Sequence, residues 1–359
     1  MHLRYGLLPS DTARLFDTTE EVGRKVLSAA VLRQDRDLAS IRGVRKTVLA
    51  RIEAETSSEP LRIVRREAAP DGFVKYLFEL EDGARVESVR IPVPCEVPGA
   101  DLGAFAGKEK KYIVCISSQA GCALACSFCA TGAQGFSRNL SAGEIVGQVL
   151  AVRAEADRPV RGVVFMGMGE PFLNYDQVIR AARILCHPAG GCIDGRKITI
   201  STAGIVPQIR RFTEEGHKFR LAVSLTHAVP HKRLRLMPIE GVHPTHELVA
   251  ALHDHARARR TRVLVEYVLL SGVNDGAEDA RALAKLLDPA LVKVDLIDVN
   301  PFPGGPAFAR SSKAARSAFL DVLAEARFPF AIRYSGGQEV AGGCGQLATT
   351  AGRPGARLS

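Results

Sequence analysis

Hydrophobic positions along the chain follow two rhythms. From residue 112 onward, short apolar runs alternate with amphipathic stretches of helical spacing. The runs at 112–117, 162–166, 197–202, 219–225, 263–269 and 292–299 predict strands that are buried on both faces. Between and after them, apolar residues recur three and four apart at 142–156, 175–186, 206–215, 246–259, 278–287 and 311–327, which predicts helices. A last apolar run at 330–334 predicts a closing strand. Ser141 and Glu144, three apart at the head of the first of these helices, form the pattern of a capping box.

Before residue 94 the pattern differs. Val22, Val26, Leu27, Ala30 and Val31 are helically spaced, and a second helical pattern runs from Leu38 through Val48, Leu49 and Ile52 until Thr56-Ser-Ser-Glu-Pro60 breaks it. Shorter apolar stretches follow at 61–65, 73–80 and 86–91. The Asp82-Gly83 pair between the last two is a hairpin signal. The chain therefore divides into a small N-terminal α+β accessory domain over 1–94, a Pro-, Gly- and Lys-rich linker loop over 95–110, an α/β core over 111–335 and a C-terminal segment over 336–359. Six strand–helix units in succession require a parallel sheet, either open and doubly wound or closed into a partial (β/α)6 barrel. No Gly-x-Gly-x-x-Gly follows the first strand. A cysteine-rich loop stands there instead, where barrel folds carry their chemistry, and the partial barrel is preferred.

Composition changes this picture little. The 359 residues are 46% hydrophobic and 24% charged, which is ordinary for a globular protein. No apolar run approaches a membrane span and the opening is too short in apolar residues for a signal peptide, so a cytoplasmic protein that touches no membrane is expected. The net charge of +9 suits an anionic partner such as nucleic acid, although an Arg-rich solvated surface gives the same number. Lys108–Lys111, Arg210–Arg211, His231–Arg235 and Arg257–Arg262 are candidate phosphate contacts.

The cysteines carry the sharpest signal. Cys122, Cys126 and Cys129 stand in a C-x3-C-x2-C spacing just after the first predicted core strand. Thiolates so close together are ligands for a soft metal centre, and three of them leave one corner of a four-iron cluster open to a small molecule. The alternative is a zinc knot completed by a distant Cys or His, but no second C-x-x-C is present. Later strand ends carry small or hydrogen-bonding residues: Gly167-Met-Gly-Glu-Pro171, Ser201-Thr-Ala-Gly204, Ser224-Leu-Thr-His227 and Asn300-Pro-Phe-Pro-Gly304. Each alone reads as a turn or cap; together they converge on one barrel mouth. Glu170 could accept from an ammonium or a ribose hydroxyl. Near the C-terminus Cys344 lies between glycines, and Cys115 ends the first core strand, where thiol exchange between the two is feasible. Cys186, His187 and Cys192 sit in a Pro-Gly-rich loop; His253 and His255 suit a solvated helix face; Cys95 reads as a bystander.

Taken in order, these motifs resemble the RlmN/Cfr family of radical S-adenosylmethionine (SAM) RNA methyltransferases. The resemblance rests on Cys115-x6-Cys122-x3-Cys126-x2-Cys129, Gly167–Pro171 with Asn174, Ser201–Gly204, Glu266-Tyr-Val-Leu-Leu270 with Gly272–Asp275, Asn300–Gly304 and Cys344–Leu347. It implies a radical SAM barrel in which Cys122, Cys126 and Cys129 hold a 4Fe-4S cluster. Gly169, Glu170, Ser201, Ser224, Leu225, Thr226 and Asn300 fall where the family contacts SAM. Cys344 would carry a methyl group as S-methylcysteine, Cys115 would form a transient disulfide with it, and Glu87 would accept a proton. The implied activity is methylation of an adenine ring carbon, carbon 2 or carbon 8, in rRNA or tRNA, with two SAM per turnover, a flavodoxin or ferredoxin as electron donor and a monomeric enzyme. A paralogue with another methyl acceptor and a metal-stabilised RNA-binding protein without turnover are the rival readings. The chain departs from the family at three places. The segment from Glu87 to Cys115 is long, Thr226 is inserted into the expected Ser-Leu-His-Ala, and Gly336 stands where an arginine is usual.

Overall fold

A computed structural model describes residues 2–94 and 109–348. Most of the 95–110 loop, with Cys95 and Lys108, and residues 349–359 lie outside the described residues. Ten strands form one sheet: β1 (Arg62–Ala68), β2 (Val74–Glu79), β3 (Arg85–Val93), β4 (Lys111–Cys115), β5 (Val160–Phe165), β6 (Ile198–Thr202), β7 (Arg220–Ser224), β8 (Val263–Leu269), β9 (Val292–Asp298) and β10 (Phe330–Arg333). They are ordered in space as in the chain. Strands β4 to β10 run parallel, and β1 to β4 pair antiparallel. Helices Ala142–Glu155, Tyr175–Leu185, Val206–Glu215, Thr245–Arg259, Ala277–Leu286 and Lys313–Glu325 occupy the crossovers that parallel neighbours require. The expected succession of six strand–helix units on a parallel sheet is the core of the fold.

The parallel strands are apolar because they are covered on both sides. Every residue of β6, Ile198 to Thr202, is buried, so both of its faces are covered. The capping box forms as expected: Glu144 N–H donates to Ser141 Oγ at 3.2 Å and Ser141 N–H to Glu144 Oε2 at 2.8 Å.

The strands of the first 94 residues continue the core sheet. Val89 of β3 pairs with Cys115 of β4, so the three-stranded meander satisfies the edge that β4 would otherwise expose. Helices Pro9–Leu15, Glu20–Leu27 and Lys46–Glu55 pack around a smaller core of Leu7, Phe16, Val26, Leu38, Leu49 and Ile52. The helical pattern expected from Leu38 begins only at Lys46. Leu38 stays buried, but its N–H bonds the Glu53 carboxylate at 2.6 Å in place of a helical carbonyl. Helices Pro9–Leu15, Ala130–Gln134 and Pro230–Leu236 have no counterpart in the periodicity reading; the first and last open on proline, which suits a first helical turn.

Candidate active site

The cysteine loop emerges from the C-terminal end of β4 and is bracketed by a short hairpin of Gln119–Gly121 and Phe136–Asn139. Gly121 makes the bracket possible: its φ is +75°, and a Cβ there would lie 1.8 Å from Gly135 O. Cys122 N–H then bonds Gly135 O at 2.9 Å, and Ser127 N–H bonds Leu236 O at 2.9 Å, which pins both ends of the loop. Cys122, Cys126 and Cys129 are half-buried and line one cavity. Burial pushes the Cys122 thiol up to about 11, and burial with the neighbouring Cys129 and Cys122 pushes Cys126 up as well. Such thiols stay protonated until a metal centre takes their place. Among the described residues no three Cys, His, Asp or Glu side chains converge on a single ion. Three separated sulfurs suit a cluster that offers one iron to each.

The opposite wall of the cavity is polar and built from successive strand ends. Glu170, Ser201, Ser224, Glu266, Asp298 and Asn300 all face it. The Glu170 carboxylate is held from behind, accepting from Phe172 N–H at 2.9 Å and Ala203 N–H at 2.8 Å. Burial nevertheless raises it to about 7. Ser201 Oγ donates to Glu266 Oε2 at 2.7 Å. One oxygen of Asp298 accepts from Arg316 at 2.9 Å, while its Oδ1 is buried without a partner, a polar atom left unsatisfied at the cavity wall. The glycines after β5 allow close packing at the cavity wall: a Cβ at Gly167 would meet Ile116 backbone at 2.7 Å, and one at Gly169, where φ is +95°, would meet Gln119 at 2.5 Å. Leu225 and Thr226 are fully buried and do not line the cavity. Glu266 and Asp298 were not singled out from sequence as site residues, although an acid inside an apolar strand such as β8 is itself a signal.

Cys344 closes the cavity from the C-terminal side. It lines the cavity with part of its surface exposed. Asn300 Nδ2 donates to Cys344 O at 3.1 Å and Cys344 N–H donates to Ser335 Oγ at 3.1 Å. Gly345 O accepts from Ala130 N–H at 2.7 Å and Leu347 O from Thr131 Oγ1 at 2.6 Å, so the segment is tied to the cysteine loop itself. Burial and nearby Glu266 raise the Cys344 thiol, while Ser335 and Arg333 oppose that rise.

Comparison with known proteins identifies the family. The sequence signature of the Radical SAM superfamily covers residues 116–287. A probable RNA methyltransferase from Anaeromyxobacter sp. (strain Fw109-5) is 52% identical over 90% of this chain and 92% of its own length. The dual-specificity RNA methyltransferase RlmN of Syntrophobacter fumaroxidans is 42% identical over 82% of both chains. A crystal structure of a radical SAM methyltransferase from Sphaerobacter thermophilus superposes with a TM-score of 0.84 at 36% identity, covering 97% of this chain and 99% of that one. The chain belongs to the RlmN/Cfr family of radical SAM RNA methyltransferases.

As a radical SAM methyltransferase of the RlmN/Cfr family it uses a 4Fe-4S cluster and SAM. The donor set fits both: three cysteines on one side of the cavity, and two buried carboxylates, two serine hydroxyls and the orphaned Asp298 oxygen on the other. Two further residues named by the family resemblance lie in the sheet just beyond. Strand register places Cys115, Val89, Lys75 and Glu67 in one row across β4 to β1, and Glu87, two residues from Val89, shares their face. Cys115 is buried and unbonded to another cysteine; burial raises its thiol, and Cys344 is the next largest influence. Glu87 is 2% exposed, with Oε1 3.2 Å from Lys75 Nζ and Oε2 accepting from Ala348 N–H at 3.0 Å.

The RlmN/Cfr chain's departure at Gly336 has a steric cause. A Cβ there would lie 2.4 Å from the Phe73 ring and 2.6 Å from Asp71 Oδ2. Asp71 accepts from Tyr334 hydroxyl at 3.0 Å and from Gly337 N–H at 2.9 Å, and Phe73 meets the Tyr334 ring edge-on. The turn between β1 and β2 thus occupies the space an arginine would need. No helix among the described residues is long and apolar enough to cross a membrane.

Proposed function

We propose that this protein methylates a ring carbon of adenine, carbon 2, in rRNA or tRNA, using Cys344 as methyl carrier. The observation that carries the reading is the tethering of the Cys344 segment across the cavity: its backbone bonds the cysteine loop at Ala130 and Thr131, Asn300 on the opposite wall, and Glu87. Cys122, Cys126 and Cys129 would hold the cluster, whose reductive chemistry on SAM would supply the hydrogen-abstracting radical. Glu170, which lines the cavity and accepts from Phe172 N–H, Ala203 N–H and the Thr202 side chain, would face the SAM ammonium, and Ser201, Ser224 and Asn300, with the Gly169 backbone, would orient the rest of that molecule; Leu225 and Thr226 support this wall from behind. Arg333 and the Ser335 hydroxyl favour the Cys344 thiolate that a methyl transfer requires. Carbon 2 of adenine is electron-poor and resists an electrophilic methyl donor, which is why a radical route is needed. Adenine must also leave its stack to enter the cavity, as RNA loops allow. Glu87 would take the proton released at the ring carbon, and Cys115 would free the product by forming a disulfide with Cys344. The reading further calls for a flavodoxin- or ferredoxin-type donor and a cytoplasmic monomer.

The test is the mass of the Cys344 peptide from anaerobically prepared, cluster-loaded protein. A methyl group on Cys344 that disappears on turnover with RNA supports the carrier role. An unmodified Cys344 in the presence of SAM sinks it.

A further inference from the structure

The sheet carries a second concavity at the opposite ends of the same strands. Arg196 precedes β6, Lys218 precedes β7, Arg220 opens it, Arg262 precedes β8, and Lys293 is the second residue of β9. With Arg259 they line a pocket of about 630 Å³ that has no carboxylate among its lining residues. The active-site cavity lies beyond the other end: Arg220 and Ser224 bound one strand, about 13 Å apart at the usual rise per residue.

Gathering six cations in one hollow is unfavourable unless an anion is there to receive them. Elsewhere the protein pairs its arginines, as in Arg138 with Asp82 at 2.6 Å and with Glu144 at 2.7 Å. In the pocket only Arg196 and Lys293 have carboxylate partners, Asp194 at 3.0 Å and Asp295 at 3.3 Å. Arg259 donates to a backbone carbonyl, His217 O, at 3.0 Å. Among the described residues Lys218, Arg220 and Arg262 have no hydrogen-bonding or ionic partner.

One neutral group in this pocket narrows the ligand. His255 lines it although only 2% exposed. The Thr213 hydroxyl donates to Ile209 O at 2.8 Å, so it must accept from His255 Nδ1 at 2.8 Å. Nδ1 therefore carries the hydrogen and Nε2 presents a lone pair with no protein partner. Burial, then Arg259, hold the imidazole down at about 4, so it stays neutral. A lone pair amid cations does nothing for a carboxylate or a phosphate. It matches a hydroxyl donor, and the polyanion that carries hydroxyls beside its phosphates is RNA.

We propose that this pocket is a second RNA contact, binding backbone phosphates through Lys218, Arg220 and Arg262 and a ribose hydroxyl through His255 Nε2. It rests on the reading that RNA is the substrate. It would grip the fold of a large RNA away from the adenine being modified.

The experiment compares the holoenzyme with the K218E/R220E/R262E variant, and with the milder K218Q/R220Q/R262Q in case the first misfolds. A tRNA transcript, a large-subunit rRNA transcript and a short stem-loop are titrated across a series of KCl concentrations. For at least one full-length transcript the variants should bind at least tenfold more weakly at low salt, with the slope of log affinity on log salt reduced by about 2 to 3 for three lost phosphate contacts. Stem-loop binding should be unchanged. Equal affinity and slope for wild type and variants would overturn the assignment. So would inorganic triphosphate binding in the pocket that RNA fails to displace, or a variant impaired only when flavodoxin rather than a chemical reductant supplies electrons, which would mark a protein-docking surface. If wild-type protein binds none of the RNAs, it is the function reading that fails.

Discussion

Deleting the ammonium of Lys75 probes how Glu87 is held. Glu87 is nearly inaccessible, and Lys75 is the only cation in contact with it, 3.2 Å away among the described residues. Burial raises this carboxyl from its ordinary value, and Lys75 is the strongest influence opposing that rise. In Lys75→Met the carboxylate keeps one backbone donor, Ala348 N–H. Stranding one member of a buried pair costs about 3–5 kcal/mol. Protonation relieves that cost. Because its folded value is raised, Glu87 binds its proton more tightly in the native than in the unfolded chain, so the associated stability is present at low pH and is lost as pH rises through the folded value. The variant should lose about 3 kcal/mol at pH 8 and about 1 kcal/mol at pH 5. At 1.36 kcal/mol per unit, that difference means a further rise of about 1.5 units in Glu87. Urea unfolding of the cluster-free protein at the two pH values measures it, and Lys75→Arg should recover most of the loss. In turnover, the acid limb of the pH–rate profile should move to higher pH. A cost that is the same at both pH values, or below about 0.5 kcal/mol, would refute the view that Lys75 keeps Glu87 charged.

Three other outcomes follow from the site. Glu170→Ala strands the N–H groups of Phe172 and Ala203, so it should cost about 2–4 kcal/mol in denaturant unfolding and weaken SAM binding at least tenfold by equilibrium dialysis. Unchanged SAM affinity would remove Glu170 from the binding site. Gly336→Arg should lose about 1–3 kcal/mol by overpacking against Phe73, and a double-mutant cycle with Phe73→Ala should return much of it; independent, additive effects would contradict the steric account. Replacing any one of Cys122, Cys126 or Cys129 with Ala should abolish iron retention after anaerobic reconstitution, read as iron and sulfide per chain, whereas Cys186→Ala should leave it unchanged.

Much of this protein was legible in its residues because the information was local. Buried parallel strands must be apolar along their whole length, and each of the seven parallel strands and six long helices lies within a few residues of its periodic signal. Ligand spacing is likewise a property of a short segment, so the cysteine triplet and the small-residue turns after the strands stood out before any fold was known. Tertiary structure decided what depends on register and on contacts between distant segments. The strands of the first 94 residues could not be assigned from their pattern to an extension of the core sheet, because an antiparallel meander looks the same wherever its edge pairs. Only the pairing of β3 with β4 sets Glu87 and Cys115 on one face, and only that of β2 with β3 brings Lys75 against Glu87. Glu266 and Asp298 became site residues only once the barrel turned them toward the cavity. Gly336 read as a missing arginine until Phe73, more than 260 positions earlier, was found filling its space. Periodicity records which side of an element is buried; it carries nothing about which neighbour buries it, and the site is made of those neighbours.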